Sequence, residues 1–192
     1  PSRRVGPEDH IAVDGQPIRR GQAKCYLLLH KPVQVVCTVS DPQGRPTVLD
    51  CLPPEYRDVR LFPVGRLDYF SEGLLLLTND GALSQRLMHP RYHLPKVYDV
   101  LVRDVVREKA LQAMRDGMTL AEGEHLQPVD VTARATATGK TRLRMVLRQG
   151  VNRQIRRMCR DLGLTILRLR RVSLGPLQLE DLPAGQCRAL TA

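Results

Sequence analysis

Four consecutive leucines, Leu74, Leu75, Leu76 and Leu77, stand between Gly73 and the turn-forming triplet Asn79-Asp80-Gly81. The run is too short for an independent helix and has no polar side, so it reads as a buried central strand despite leucine's helical preference. A second strand behaves in the opposite way. Across residues 142–148, Leu143, Met145 and Leu147 alternate with Arg142, Arg144, Val146 and Arg148, which gives one core face and one mostly cationic face.

The remaining elements arrange themselves around these two. Residues 25–30 form a near-continuous apolar run that enters a turn at Lys31-Pro32, and residues 98–102 read as a further strand. Helix is expected over residues 82–88, capped by Asn79 or Asp80, and over 106–115, stopped by Gly117. A third helix is expected after Asn152 as N-cap, with Ile155, Met158, Cys159 and Leu162 as its apolar stripe and Gly163 at its end. The proline- and glycine-rich stretch 41–46 reads as a surface loop before a short helical piece over 48–52. Strands and helices mix without strict alternation, and there is no internal repeat. The expected class is α+β, with a mostly antiparallel sheet flanked by helices.

At the start, residues 10–13 alternate and end at Asp14-Gly15, a strand and tight-turn signal with no helix beside it. Residues 1–23 are therefore expected to be the end of a preceding small domain plus a linker, and 24–192 the main domain. The 192 residues suffice for one sizeable core without disulfide or metal staples. Five cysteines, an odd number with no Cys-x-x-Cys pair, argue against a disulfide framework and against zinc. No apolar run is long enough to span a bilayer and no leader sequence opens the chain, so a cytoplasmic location is expected.

The formal net charge is +10, which points to a polyanionic partner. The densest patch combines Arg148, Arg153, Arg156, Arg157, Arg160, Arg168, Arg170 and Arg171. Arginine pairs with phosphate and stacks on bases, so nucleic acid is favoured over a merely solvated helix face. Aromatic residues make up only 4% of the chain, too few for a stacking platform. Tyr92 and Tyr98, on either side of Pro95-Lys96, are the exceptions. Asp68 and Glu72 are equally eligible as a functional carboxylate, and the five histidines have no metal-ligand spacing. The residues by themselves describe a basic RNA-binding α+β domain, with or without enzymatic activity.

Residues 62–81, from Phe62-Pro63-Val64-Gly65-Arg66-Leu67-Asp68 through Leu77-Thr78-Asn79-Asp80-Gly81, resemble the signature of the RsuA-type family of ribosomal RNA pseudouridine synthases. Lys31-Pro32, Lys96-Val97-Tyr98 and the segment 150–158 fit the same family in order, and residues 5–17 look like the tail of its preceding RNA-binding domain. The resemblance implies a monomeric enzyme that isomerises a uridine in folded ribosomal RNA with no cofactor and no metal. Asp68 matches the catalytic aspartate, Arg156 its cationic partner and Tyr98 the active-site tyrosine. Leu169 matches an apolar residue closing the pocket, and Arg66 an arginine filling the gap left by an extruded base. Lys31, Asn152, Arg153, Gln154 and Arg157 are the further residues expected to contact RNA. The sequence around 41–49 and 89–92 looks more like members acting on large-subunit than on small-subunit rRNA. A non-catalytic rRNA-binding or assembly factor of the same fold is the alternative. A carboxylate in a pocket tends to protonate, so the reading requires Arg156 to lie within ion-pair distance of Asp68.

Overall fold

The computed structural model describes residues 12–13, 16–17, 23–92 and 94–190. Two short strands, β1 (Ala12–Val13) and β2 (Gln16–Pro17), pair antiparallel with one another, as the strand-and-turn signal predicts. The domain boundary expected at residue 23 lies largely outside the described residues.

The main body is built on a nine-stranded sheet. In chain order its strands are β3 (Tyr26–Lys31), β4 (Phe62–Val64), β5 (Glu72–Thr78), β6 (Lys96–Val102), β7 (Asp130–Ala135), β8 (Thr141–Leu147), β9 (Ile166–Leu174), β10 (Leu177–Gln178) and β11 (Cys187–Ala189). Their spatial order is β11-β3-β5-β9-β6-β8-β7, with β4 against β5 and β10 against β9. Every pairing is antiparallel except β5 with β9. Among the described residues three α-helices accompany the sheet: α1 (Gly81–Met88), α2 (Glu108–Asp116) and α3 (Gln154–Asp161). The α+β class with a mostly antiparallel sheet is the observed architecture.

The two strand patterns of the sequence correspond to two differently covered halves. In the β3–β5 half, Leu27, Leu28 and Leu29 pair with Leu77, Leu76 and Leu75. Leu27, Leu29, Leu75 and Leu77 pack with Val48 and Leu61 on one side, while Leu28, Leu74 and Leu76 pack with Val64 and Leu179 on the other. All seven residues of β5 are buried, which is why its sequence shows no alternation. In the β9–β6–β8–β7 half, only one face is covered. Val100, Leu143, Met145 and Leu169 pack there against Leu111 and Met114 of α2 and Ile155 and Met158 of α3. The halves join at Gly73, where β5 runs parallel to β9 for a single pair of registers. Its φ is +112°, and a Cβ there would stand 2.2 Å from the Arg171 carbonyl oxygen, so only glycine fits.

Asp80 rather than Asn79 caps α1, accepting from the Leu83 amide at 3.1 Å. Asn79 instead ties the chain entering β3, through the Cys25 amide (2.8 Å) and the Ala23 carbonyl (2.9 Å). Gly117 ends α2 with φ +84°. Two local expectations are corrected. Residues 48–52 form turns rather than helix, because Asp50 Oδ2 accepts from both Thr47 N (2.6 Å) and Thr47 Oγ (2.9 Å), folding the segment back on itself. Asn152 is not the N-cap of α3. Arg153 holds that position in the left-handed region (φ 49°) without a side-chain cap, at a backbone cost of about 1–2 kcal/mol.

Candidate active site

Between β4 and β5 the chain makes a tight turn closed by the Ser71 amide on the Asp68 carbonyl at 3.0 Å. Arg156, from α3, reaches this turn with three contacts. Its Nε stands 3.4 Å from Asp68 Oδ2, and its Nη2 donates to the Phe70 carbonyl (2.8 Å) and to Ser71 Oγ (3.0 Å). Three acceptors around one guanidinium fix its orientation as well as its charge. The ion pair that the sequence reading required is therefore present, between residues remote in the chain.

A second cation grips the same turn. Lys31 is fully buried, and its Nζ donates to the Pro32 carbonyl (2.7 Å) and the Ser71 carbonyl (2.8 Å). Burial pushes the pKa of this ammonium down. Lys31 was expected to contact RNA. It instead lies behind the site as an internal strut, since a lysine at a strand end facing a doubly covered sheet has no route to solvent.

The turn opens into a cleft of about 1000 Å³. Tyr98 and Leu169 line it from β6 and β9, on the sheet face that α3 also covers. Arg66, Asn152 and Arg153 are exposed on its rim, and Gln154 lines it while buried, its Oε1 without a hydrogen-bond partner. The loop around Asp41 and Arg45 forms another wall, stiffened by their bidentate pair. Asp68, Tyr98, Arg156, Leu169, Arg66, Asn152, Arg153 and Gln154 thus meet in one cavity.

Other candidates lie elsewhere. Arg157 is held by Glu122 (3.2 Å) and Glu124 (2.7 Å) and does not line the cleft. Arg160 is held by Glu122 and Asp161, both at 2.7 Å. Besides the adjacent Asp161, the acids that neutralise this side of α3 are Glu122 and Glu124, from a loop some 35 residues upstream and hidden from a reading that looked only at neighbours in sequence. Arg168 and Arg170 pair with Glu72 and Asp99 on the opposite face of the sheet, so the arginine patch is split by the sheet itself. Glu72 is thereby separated from Asp68 and does not line the cleft. Tyr92 lies outside the cleft against the Arg91 guanidinium.

Three lining or anchoring residues were given no place in the site by the sequence, although Arg171 stood in the arginine patch and Lys96 in the Lys96-Val97-Tyr98 match. Lys96 and Arg171 add cations to the cleft wall around Tyr98, and burial pushes the pKa of Lys96 down, with Arg171 adding to the effect. The alternation in Lys96-Val97-Tyr98 already puts Lys96 and Tyr98 on one face. That Arg171 is the cross-strand partner of Tyr98 follows only from the register. Ser71, the anchor for Arg156, carries no signal of its own.

Residues 25–161 match the family model described as RNA pseudouridylate synthase. The chain is 39% identical over 191 residues to an uncharacterized RNA pseudouridine synthase of Aquifex aeolicus, covering 97% of this chain and 74% of the relative. It is 34% identical over 194 residues to the ribosomal large subunit pseudouridine synthase B of Bacillus subtilis, covering 98% and 76%. The relative of that name from Pseudomonas aeruginosa is 39% identical over 197 residues, and the match spans 98% of this chain but 50% of the relative. Among solved structures, one titled as a pseudouridylate synthase superposes with a TM-score of 0.77 at 29% identity, covering 99% of this chain and 80% of that one.

Proposed function

Because the chain belongs to the RNA pseudouridylate synthase family, we propose that it converts a specific uridine of large-subunit ribosomal RNA to pseudouridine, with Asp68 as its essential carboxylate. The observation that carries this reading is the Asp68–Arg156 ion pair at the floor of a cleft walled by Tyr98 and Leu169. A uridine must leave its stack to reach such a site. In this reading its base lies between the Tyr98 ring and the Leu169 side chain, and Arg66 at the rim fills the space it vacates. Asn152, Arg153 and Gln154 contact the flanking RNA.

The reaction moves a base from one attachment to another. The bond from ribose C1′ to N1 breaks, the base turns within the cleft, a bond forms from C1′ to C5, and the proton on C5 leaves while N1 takes one up. No net electrons enter or leave, so the isomerisation balances without a cofactor. An ionised Asp68 acts as nucleophile or as base at the ribose or the uracil. Arg156 keeps it charged and aimed, and Tyr98 Oη accepts the final proton. Large-subunit rRNA is favoured by the names carried by the Bacillus subtilis and Pseudomonas aeruginosa relatives. We place the reaction in the cytoplasm with the protein as a monomer. Among the described residues no helix is long and apolar enough to cross a membrane.

The test is a map of pseudouridines in ribosomal RNA from cells with and without the protein. One large-subunit position is expected to revert to uridine. A site lost from small-subunit rRNA would overturn the target, and an unchanged map would leave only a binding role.

A further inference from the structure

The exposed face of the β9–β6–β8–β7 half lies on the far side of the sheet from the cleft. Register places its side chains in two rows across four strands. One row runs Arg134, Arg142, Leu101, Arg168, and the next runs Thr132, Arg144, Asp99, Arg170. At about 4.8 Å between strands and about 7 Å between alternate residues, five guanidinium groups share a patch roughly 14 Å wide. Arg148, at the end of β8, pairs with the exposed Asp130 at 3.8 Å and also lines the cleft, so it is not counted with these five.

The charge on this face is not balanced internally. Asp99 is shared between Arg142 (3.7 Å) and Arg170 (3.4 Å), and Glu72 is engaged by Arg168. Among the described residues no carboxylate pairs with Arg134 or Arg144, and Arg134 stands directly opposite Arg142. Like charges directly opposite in a sheet cost stability, which an external anion relieves. The face also has no aromatic side chain, because Tyr98, the aromatic residue of β6, points into the cleft. It therefore has nothing on which to stack splayed bases. Of its apolar side chains, Leu101, Val97 and Val146 are half-buried and the exposed Leu167 stands beside Arg168 at the bulge, so arginine rather than apolar surface dominates the face.

We infer that this face is a second RNA-binding surface, one that grips the phosphate backbone of a base-paired segment outside the segment held in the cleft. The inference rests on the reading that the chain acts on RNA. Cationic and without stacking groups, the surface reads backbone rather than sequence. It lets a large folded RNA be held at two places while the target nucleotide is worked on at one.

The test compares wild-type protein with the triple variant Arg134→Thr, Arg142→Thr, Arg144→Thr, threonine being well suited to strands. Two RNAs are used: a minimal stem-loop containing the target uridine, and a longer folded fragment of the same rRNA. For the long RNA, affinity is expected to fall about tenfold or more near 0.1 M salt, with a log–log salt slope shallower by about 2. Conversion of the minimal stem-loop is expected to stay at the wild-type rate. Wild-type affinity and slope for the triple variant on the long RNA would overturn the inference, including where the face instead captures an acidic protein. Should the triple variant melt early, Arg134→Thr alone, on the edge strand β7, is expected to lower the slope by about 1. An unchanged slope in that variant overturns the inference too. A wild-type protein that binds the long RNA through this face but converts no uridine would sink the functional reading and leave the surface standing.

Discussion

Two carboxylate–arginine pairs start from the same short stretch of chain and end on opposite sides of the sheet. Asp68, in the turn, pairs with Arg156. Glu72, at the start of β5, pairs with Arg168. The first pair sits in the cleft with Asp68 still 35% exposed, and its arginine has backbone and hydroxyl partners in the same turn. In the second pair Glu72 is only 11% exposed and its arginine is the open member. A carboxylate becomes chemically useful where a cation orients it and a cavity keeps it accessible. Packed into a strand, the same pair only fastens one strand to the next. Gly73, immediately after Glu72, lets β5 approach Arg171 of β9 closely and so fixes Glu72 in the seam.

The comparison breaks most sharply at Asp68. Asp68→Asn is expected to lower the rate of pseudouridine formation by about 10³-fold or more while RNA affinity is retained. Full conversion by that variant in a single-turnover assay would mean that the cleft pair is as inert chemically as the strand pair. Next in size is Gly73→Ala, which forces a Cβ into the β9 backbone at a position with φ +112°. Urea denaturation is expected to register a loss of roughly 3 kcal/mol or more, and an undiminished midpoint would mean the seam can relax.

Arg156→Ala is expected to reduce turnover about 10²-fold, and Arg156→Lys to restore only part of it, because lysine returns the charge without the planar fork that binds Phe70 and Ser71. Complete rescue by lysine would reduce the role of Arg156 to charge. The smallest effect belongs to the other pair. Glu72→Gln is expected to cost about 1 kcal/mol or less in thermal unfolding, since Arg168 is half-exposed and can hydrate, and to leave kcat at the wild-type level. A large drop in kcat would show that the two pairs are coupled.

The fold was legible where side-chain pattern reflects how many faces of a strand are covered. The unbroken leucines of β5 marked the doubly covered half, and the alternation of β8 marked the half with one open face. Helix ends were less so. Asp80 and Gly117 behaved as their chemistry suggests, but Asn152 lost the cap of α3 to Arg153, whose left-handed backbone has no signature in sequence. The short helix over 48–52 failed because Asp50 satisfies its own neighbours through its side chain.

By itself the sequence determined the class of fold, the basic character of the surface and, through residues 62–81, the family resemblance that separated Asp68 from Glu72. Each of these is a property of side chains taken in order. Only the tertiary structure decided which charges face which. It brought Arg156 to Asp68, buried Lys31, neutralised Arg157 and Arg160 with distant acids, and sent Arg168 and Arg170 to the far side of the sheet. The reason is that an ion pair depends on distance through space, and strand register, which sets that distance, is fixed by the packing of the whole sheet.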